Sequence, residues 1–496
     1  MFTKPLIALL LFMVATPLLR WIAQRKWYQK VLGIYSVLSL SVTAYFLYEL
    51  YVEVSEKGHV LVISQLPFSP SSGACLEIDM LSIFMALIYV MIGLLAAFYS
   101  IRYMEHETGL TVYYTLLLGM VAGMIGVAFA GDFFTLFVFW ELMSLTSYAL
   151  VAFRKERWAP IEAGFKYLIM SAAGGATILL AMSFLYGMTG TLNFASLAAN
   201  LTAAAPNEWL YVILVLIFVG FGVKAAIVPF HTWLPDAHPE APAPISALLS
   251  AALVQTGAYA LIRILLLLFG SMQVAWQMTL VVFAVLTMFV GNLMALLQDD
   301  IKRLFAFSTI AQMGYILFGF SIATQQGLTA SLFHIMNHAI MKSLLFLCAG
   351  AFIHQVGTRN LSKLEGIRRT MPVTSMLLAI GAVAIAAIPP LNGFWSEWMI
   401  VLAGIEAGVL TFSALMIINI LISVAYYLRL IFIIVLKEPT PVSEEATEAP
   451  ISMLIPIIIL AALCIIIGIY PGPFITWAEG AAKAALNLLE YAHSVF

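Results

Sequence analysis

The sequence predicts an all-α polytopic membrane protein, because the chain is too apolar to fold in water and its apolar residues lie in long runs. Of its 496 residues, 63% are hydrophobic and 10% are charged, and the mean hydropathy is +1.02. Such a composition leaves too little polar surface to solvate a globule. The runs approach the ~20 residues that an α-helix needs to cross the ~30 Å core of a bilayer. We therefore expect most of the chain to consist of membrane-spanning helices.

About fourteen apolar spans are predicted along the chain. They lie at 5–23, 31–52, 78–101, 112–130, 132–153, 161–189, 208–230, 243–269, 274–297, 303–323, 328–353, 372–404, 408–436 and 450–471. A final stretch, 473–496, is predicted to be an amphipathic tail. The first span has the length of a signal peptide but lacks a clear small-residue cleavage site, so a retained first helix is the preferred interpretation.

Lysine and arginine in alternate loops predict the orientation. One side holds Arg20, Arg25, Lys26, Lys30, Arg102, Arg154, Lys155, Arg157, Lys302, Arg303, Arg359, Lys363, Arg368, Arg369 and Lys437. The other side holds only Lys4, Lys57 and Lys483. Because cytoplasmic loops carry the excess of positive charge, the first side is predicted to be inside. The chain is thus expected to cross a cell inner (plasma) membrane many times, with both termini outside.

Two spans are predicted to be broken, the seventh and the twelfth. Prolines follow Lys224 in KAAIVPFHTWLPDAHPEAPAPIS, and Pro389 and Pro390 interrupt AAIPPLNGFWSEWMIV. Proline removes a backbone donor and clashes with the preceding turn. Paired interrupted helices in corresponding positions of two halves indicate a transport site. Since the breaks fall five spans apart, we expect two inverted five-helix repeats, over spans four to eight and nine to thirteen.

The expected division of the chain follows from these repeats. Residues 1–110 hold the first three helices, 111–270 the first repeat, 271–437 the second repeat, and 438–496 a loop, the last helix and the tail.

One helix face is predicted to carry a proton relay. In LFHIMNHAIMKSLLFLCAG, His334, His338 and Lys342 recur every four residues, which places them on one side of a helix over two turns. Imidazole both donates and accepts near neutral pH, so such a face can pass protons. The alternatives are a structural polar stripe and a metal site that uses the two histidines.

Isolated charges in other spans are the second group of candidates. Glu141 lies near the middle of DFFTLFVFWELMSLTSYALVAF, where a charge costs roughly 2.5–3.5 kcal/mol and needs a protein interior or a partner. Lys224 lies one turn before the first break and is the predicted partner of Glu141. The alternative is that the two residues form a purely static ion pair. Glu397, seven residues after Pro390, is interpreted as the equivalent group in the second half, or as a charge that reaches the interface from a helix end.

Supporting residues are predicted at the inner side. Lys166 lies near the inner end of its span and has the length to snorkel. His231 and Asp236 border the first break, where they feed protons or belong to a solvated loop. Interfacial anchors are expected at Asp132, Asp299, Asp300, Lys302 and Arg303. The net charge of −2 does not indicate nucleic acid as a partner. Neither a metal site nor a cofactor is predicted in this chain, since the three cysteines, Cys75, Cys348 and Cys464, show no metal or disulfide spacing.

Four long motifs resemble one family. FFTLFVFWELMSLTSYALV, VKAAIVPFHTWLPDAHPEAPAPISALLSA, QDDIKRLFAFSTIAQMGYI and HIMNHAIMKSLLFLCAG are similar to the antiporter-like membrane subunits of respiratory complex I, of Mrp-type cation/proton antiporters and of membrane-bound hydrogenases. The resemblance covers roughly residues 75–430. It implies that Glu141 and Lys224 form the pair that gates proton transfer, on the fifth helix and the broken seventh helix.

The resemblance also assigns the remaining candidates. It implies that His334, His338 and Lys342 form the relay of the eleventh helix and that Glu397 occupies the charged position of the twelfth. One position departs from the family pattern: Gln255, in LVQTGAYALIR, stands where many members have a lysine. A neutral amide cannot carry the charge, so water or another residue would have to link the two half-channels there.

These features favour a proton-translocating subunit of a redox-driven multisubunit complex. In this hypothesis the chain is a non-redox, translocase-type subunit of a membrane oxidoreductase, bound to other integral membrane subunits that include further antiporter-like ones. A Mrp-type subunit that exchanges Na⁺ for protons uses the same groups, and a non-conducting structural spacer predicts that the buried charges are dispensable. Neighbouring genes for hydrogenase, quinone-reductase or cation-antiporter subunits would distinguish the first two hypotheses.

Overall fold

The computed structural model describes residues 3–19, 28–58, 60–64, 74–203, 208–270 and 276–487, and helices dominate these segments. Arg20, Arg25 and Lys26 of the predicted inner basic group lie outside the described residues, as does the end of the predicted tail, 488–496.

The first half of the chain contains ten helices and one strand pair within the described segments. They are α1 (Lys4–Ala15), α2 (Tyr28–Lys57), β1 (Leu61–Ser64), β2 (Cys75–Ile78), α3 (Met80–Tyr103), α4 (Leu110–Phe129), α5 (Phe133–Val151), α6 (Trp158–Thr189), α7 (Phe194–Ala203), α8 (Trp209–Lys224), α9 (Leu234–Glu240) and α10 (Ala243–Phe269). The two strands form an antiparallel hairpin, with Leu61 opposite Ile78.

The second half continues as helices. They are α11 (Trp276–Leu296), α12 (Ile301–Ser321), α13 (Gln325–Val356), α14 (Pro372–Ile385), α15 (Asn392–Glu406), α16 (Leu410–Leu436), α17 (Pro441–Glu444), α18 (Ile451–Ile469) and α19 (Gly472–Leu486). Both α10 and α16 contain a π-helical turn, at Leu249–Leu253 and Phe432–Leu436.

Among the described residues, eleven helices are long and apolar enough to cross a bilayer. Shorter apolar helices cover Lys4–Leu18, Trp209–Lys224 and Pro372–Ile385. Every predicted span therefore contains helix, and the chain is a multi-pass membrane protein. In the predicted seventh span, 208–230, α8 ends at Lys224, where the sequence predicts the break.

The ends of α5 and α12 are built alike. Asp132 caps α5 and bridges to Asn193, just as Asp300 caps α12 and bridges to Asn360. The helices that follow match as well: α6 and α13 each have 32 residues and end at a left-handed glycine, Gly190 with φ 70° and Gly357 with φ 74°. Glycine reaches this conformation without the steric cost of a Cβ. Because Gly357 follows Gly190 by 167 residues, the two halves can be aligned.

These two matched units run in opposite directions. The α5 cap Asp132 accepts a hydrogen bond from the backbone N–H of Cys75 in the hairpin, at 2.9 Å. At the start of α12, in contrast, Arg303 pairs with Asp236, which also pairs with Lys166 near the first residues of α6. Since α6 starts where α5 ends, α5 and α12 begin at opposite ends of the bundle. We call these the hairpin end and the basic end.

The two predicted interruptions are confirmed and have one geometry. Between α8 and α9, Ala226 has φ 53° and is followed by a cis peptide bond at Pro229. Between α14 and α15, Ala387 has φ 55° and is followed by a cis bond at Pro390. The backbone hydrogen bonds agree too, with Ala226 N donating to Val223 O at 3.2 Å and Ala387 N donating to Ala384 O at 3.1 Å. At the breaks the repeat distance is 161 residues.

Candidate functional site

Lys224 is held at the end of α8 by the side chains of α6. It is 1% exposed, and its ammonium donates to Tyr167 Oη at 3.0 Å and to Ser171 Oγ at 3.2 Å. The ammonium also lies 4.7 Å from the centre of the Tyr167 ring, within range of a cation–π attraction. That ring stacks on Trp233 at 4.0 Å, so the break itself positions the partner of the lysine. The structure therefore confirms the burial of Lys224.

Glu141 does not form a contact ion pair with Lys224. Both residues lie in described segments, and their charged atoms are not within 4.0 Å of one another. The Glu141 carboxylate lies instead against Gly175 of α6, where a built Cβ would come 2.8 Å from Oε1. Glu141 is half-buried, on the face of α5 that also exposes Val138 and Leu145. The predicted pairing can act only at longer range in this conformation.

The predicted face of α13 is confirmed as a buried polar strip. His334, His338 and Lys342 are each 0% exposed. The Lys342 ammonium donates to the backbone oxygen of Phe305 at 3.1 Å and to Tyr427 Oη at 3.3 Å. No acidic side chain pairs with this lysine in the part of the chain that the structure describes. Its charge is stabilised by oxygen atoms that carry no net charge.

A polar network extends from Lys342 across α12, α11 and α16. The hydroxyl of Tyr427 shares a hydrogen bond with Ser308 Oγ at 2.7 Å. Tyr426 Oη donates to Ser308 Oγ at 3.1 Å and lies 3.0 Å from Asn292 Oδ1. Asn292 in turn donates to Tyr315 Oη at 3.0 Å. Such connected buried groups hold one another in place.

Gln312 connects His334 to Glu397. Its side-chain oxygen lies 2.6 Å from His334 Nε2, and its side-chain nitrogen donates to Glu397 Oε1 at 3.1 Å. His334 Nδ1 lies 2.9 Å from Ser396 Oγ. Glu397 is 1% exposed, and its Oε2 has no hydrogen-bond partner among the described residues. The alternative that Glu397 reaches the interface from a helix end was therefore wrong.

Gln255 contacts the relay face directly. Its side-chain nitrogen lies 2.8 Å from His338 Nδ1 and donates to the backbone oxygen of Ile335 at 2.9 Å. Gln255 and His338 are thus in direct contact, while the link between the two half-channels through water or another residue stays a prediction.

The prediction that Glu397 is the second-half equivalent of Lys224 was wrong, because the two residues do not align when the halves are superimposed by sequence position. The 161-residue repeat at the breaks places Glu397 on Asp236, and it places Ile385 on Lys224. The 167-residue repeat between α6 and α13 places His334 on Tyr167, His338 on Ser171 and Lys342 on Gly175. Sequence spacing from the proline alone does not reveal this, because the two halves place their charges on different helices.

The basic end carries the predicted inner residues. Lys166 pairs with Glu162 at 2.8 Å and with Asp236 at 3.2 Å, and its side chain is 50% exposed. Arg303 also approaches Asp236, at 3.6 Å. His231 lies in the break and is partly buried. These contacts place Lys166 and Asp236 together at one opening of the bundle.

Two expected interfacial anchors were wrong. Lys302 is 2% exposed and donates to the backbone oxygens of Ala241, at 2.5 Å, and Pro239, at 3.4 Å. It therefore fastens α12 to the connection between α9 and α10. Asp132 is 3% exposed, because its carboxylate caps α5 and binds the hairpin.

A buried charge cluster lies at the hairpin end. Asp79 caps α3 and forms an ion pair with Arg263, 7% exposed in α10. Glu77 of β2 lies beside this pair and is 1% exposed. Burial raises the pKa of the Glu77 carboxyl to about 8, against the attraction of the Arg263 guanidinium, which lowers it. The sequence did not single out these residues.

Other residues of the site were also missed. The buried network also contains Gln312, Ser396, Tyr427 and Asn292. Polar residues of these types are common in apolar spans, so the sequence alone did not mark them. Asparagine and glutamine side chains are costly in lipid, so each of them in a span could have predicted a polar partner within the bundle.

The described residues contain no group of three or more His, Cys, Asp or Glu side chains arranged for a metal ion.

Broken helices and buried lysines are typical of one class of protein, the membrane subunits of ion-transport systems. Comparison with known proteins identifies the family. Residues 130–423 match the NADH:quinone oxidoreductase/Mrp antiporter transmembrane family, and residues 71–114 match the N-terminal family of complex I chain 5. The chain belongs to the antiporter-like subunits of this family.

Related proteins come from several complexes. The NADH-quinone oxidoreductase subunit N of Desulforudis audaxviator is 34% identical over 418 residues, which cover 81% of this chain and 83% of the relative. A chain of the membrane-bound sulfane sulfur reductase, an archaeal respiratory complex, superposes with TM-score 0.92 and 30% identity, covering 100% of this chain and 99% of that one. A chain of the Mrp complex of a Dietzia species gives TM-score 0.89 and 25% identity, with coverage of 100% and 99%.

Proposed function

We propose that this chain is a proton-translocating subunit of a redox-driven membrane complex. The observation that carries the proposal is a buried polar strip at membrane depth: Lys342, His338 and His334 follow one face of α13, and Gln312 joins His334 to Glu397. Fully buried ionisable groups inside a membrane are costly and mark ion pathways. Lys224 is the corresponding buried cation of the first half.

The proposed architecture is fourteen membrane spans with two inverted five-helix repeats. In this arrangement α8 with α9, and α14 with α15, are the broken seventh and twelfth helices. The matched breaks and the matched ends of α5 and α12 support the repeats, and the opposite directions of α5 and α12 support their inversion. The predicted division into 1–110, 111–270, 271–437 and 438–496 follows these units.

The proposed route begins at the basic end, on the cytoplasmic side of the plasma membrane. Lys166, Asp236 and His231 lie at this opening, and Lys224 lies on the other side of the break. From Lys224 the route passes Gln255 to the α13 face and to Glu397, and it ends outside. Glu397 Oε2 and His338 Nε2 are buried and have no hydrogen-bond partner among the described residues, so ordered water is expected there to connect the groups. Both termini are then outside.

Neighbouring membrane subunits are proposed to drive the transfer. Glu141 is half-buried and faces the outside of this chain at mid-span, where a charge toward lipid is costly. A partner subunit packed against α5 removes that cost and places a second charge near Glu141. A change in that charge would alter the field at Lys224. The redox chemistry and its cofactors are assigned to other subunits.

A Na⁺/H⁺ antiporter subunit is the second candidate, because the chain superposes almost fully on a chain of a Mrp complex. A non-conducting spacer is the third interpretation. It predicts that the buried charges can be removed without loss of transport.

The test is ion movement by the parent complex in liposomes, with proton and Na⁺ uptake followed separately. Lys224→Ala is compared with Lys363→Ala, a matched change at an exposed lysine. We expect proton uptake to collapse only in Lys224→Ala, with the complex still assembled. Coupled Na⁺ movement would favour the antiporter, and unchanged transport in both variants would overturn the proposal in favour of a spacer.

A further inference from the structure

The hydrogen bonds of Gln255 fix the protonation state of His338. The Gln255 amide faces two groups, the backbone oxygen of Ile335 at 2.9 Å and His338 Nδ1 at 2.8 Å. A backbone oxygen can only accept, so the amide nitrogen, and not the amide oxygen, must face Ile335. The second N–H of the same nitrogen then points at His338 Nδ1. His338 Nδ1 is therefore an acceptor, and the ring proton lies on Nε2.

Protonation of His338 at Nδ1 would break this arrangement. Two N–H groups would then face each other over 2.8 Å, and the amide could not turn without placing its oxygen against the oxygen of Ile335. His338 is also one turn from Lys342, whose positive charge opposes a second charge on the ring. The surroundings hold His338 neutral.

His334 has a different set of partners. Gln312 donates from its side-chain nitrogen to Glu397 Oε1 at 3.1 Å, which turns its oxygen toward His334 Nε2 at 2.6 Å. An amide oxygen accepts, so His334 Nε2 carries a proton. The other ring nitrogen, Nδ1, lies 2.9 Å from the hydroxyl of Ser396.

Ser396 can serve both protonation states of His334. Its hydroxyl lies 2.9 Å from His334 Nδ1 and 3.2 Å from the backbone oxygen of Gly393. When His334 is neutral, the hydroxyl donates to Nδ1. When Nδ1 is protonated, the hydroxyl accepts from it and donates to Gly393 instead. Because only the hydroxyl proton turns, a proton can join or leave Nδ1 without movement of the heavier atoms.

We infer that the two histidines have different tasks, and that Ser396 and Gln255 are the positioning residues that set them. His334 accepts a proton at Nδ1 from the Ser396 hydroxyl, which takes a replacement proton from water, and the ring becomes an imidazolium. In the release step the imidazolium returns a proton to the Ser396 oxygen while that hydroxyl gives its own proton to water. His338 stays neutral with its proton on Nε2 and contributes a fixed N–H group. The inference rests on the proposed proton translocation and adds which histidine carries the charge.

The titratable groups around His334 lie on three helices. Glu397 of α15 is reached through Gln312, the Tyr315 ring of α12 lies 6.4 Å away, and the His338 ring lies 6.3 Å away on α13 itself. Of these, Glu397 is the acid that can stabilise a charged His334.

The direct test is nitrogen NMR of the assembled complex with ¹⁵N-histidine in this chain, with His334→Gln and His338→Gln used to assign the signals. We expect His338 to keep one protonated and one bare nitrogen across the neutral pH range, and His334 to gain a second proton as the pH falls. In Gln255→Glu, which replaces the donor by an acceptor of the same shape, His338 should lose this fixed form. A wild-type His338 that becomes doubly protonated would overturn the inference.

Transport gives the second test. Ser396→Ala removes the partner of the charged ring, so we expect proton pumping at neutral pH to fall about tenfold and its pH profile to move to lower pH. Ser396→Thr, which keeps the hydroxyl, should restore both. Ser375→Ala, at a fully buried serine of α14 whose hydroxyl has no partner among the described residues, should change neither. Equal effects of Ser396→Ala and Ser396→Thr would contradict the role of the hydroxyl.

The proposed function and the separate roles of the two histidines can be disproved independently. If Lys224→Ala pumps normally, the proposed function is wrong whatever the histidine signals show. If Lys224→Ala abolishes pumping but His334 never gains a proton, the route stands and the division of tasks between the histidines is wrong.

Discussion

The two halves of the molecule share a backbone but not a chemistry. In the first half, Lys224 extends from a broken helix to two hydroxyl groups on α6. In the second half, the positions of those hydroxyls are His334 and His338, and the lysine lies on the same helix as the histidines. The carboxylate of the second break, Glu397, is buried, whereas its counterpart Asp236 is paired at the basic end.

The comparison shows that the two repeats share backbone features but differ in where their ionisable side chains lie. The breaks, the capped helix ends and the left-handed glycines match in both halves, because the backbone needs them to pack. The ionisable side chains lie on different helices in the two halves, because side chains from several neighbouring helices can reach the same buried region. Equivalence by position is therefore a poor guide to equivalence by role.

The largest expected effect is loss of Lys342. Lys342→Met keeps an unbranched side chain of similar length but removes the charge from the α13 strip. We expect proton pumping to fall by at least about a hundredfold, within the range that proton-transfer groups contribute. Proton uptake by the reconstituted complex measures it, with exposed Lys363→Met as the control. Near-normal uptake in Lys342→Met would remove the second half from the route.

The next effect tests the hydroxyl groups that bind Lys224 in the first half. Tyr167→Phe keeps the ring beneath Lys224 but removes the hydroxyl that accepts its hydrogen bond. A hydrogen bond to a charged group contributes roughly 1.5–3 kcal/mol, so pumping should fall by about tenfold. Tyr186→Phe, at a tyrosine that is 58% exposed, is the matched control. Equal pumping in both variants would show that Tyr167 only packs.

A smaller effect is expected at Tyr427. Tyr427→Phe removes one oxygen near Lys342 at 3.3 Å, but the lysine keeps the backbone oxygen of Phe305 at 3.1 Å. We expect pumping to fall by only about threefold, near the value of an ordinary hydrogen bond. Tyr470→Phe, 66% exposed, serves as the control. A loss as large as that of Lys342→Met would mean that the tyrosine itself transfers protons.

The smallest effect concerns stability and lies outside the relay. Burial raises the pKa of Glu77 from 4.5 to about 8, so the folded chain holds this proton over a range in which the unfolded chain has released it. The free energy of unfolding should therefore fall as the pH rises from about 4.5 to about 8. Thermal unfolding of the complex in detergent measures this slope. Glu77→Gln should flatten it, whereas Glu479→Gln, at a partly exposed position of α19, should not; an unchanged slope in Glu77→Gln would be the contrary result.

The sequence predicted the features that depend on local chemistry. Apolar runs predicted the helices, prolines predicted both breaks, and four-residue spacing predicted the face of His334, His338 and Lys342. It did not predict that Gln312 joins His334 to Glu397, because the two residues that Gln312 contacts are distant in the chain and approach only in the packed bundle. The register error at Glu397 has the same cause, since only the matched helix ends reveal the alignment of the halves.

The most direct measurement compares Glu397→Gln with Asp236→Asn in the reconstituted complex. The two residues occupy matching backbone positions, and both changes replace a carboxyl group by an amide of the same shape. We expect proton pumping to collapse in Glu397→Gln, which breaks the buried strip, and to fall only about threefold in Asp236→Asn, because Asp236 lies at the opening, where its ion pairs are partly exposed and contribute little. Equal pumping in the two variants would contradict the proposal that the route runs through Glu397.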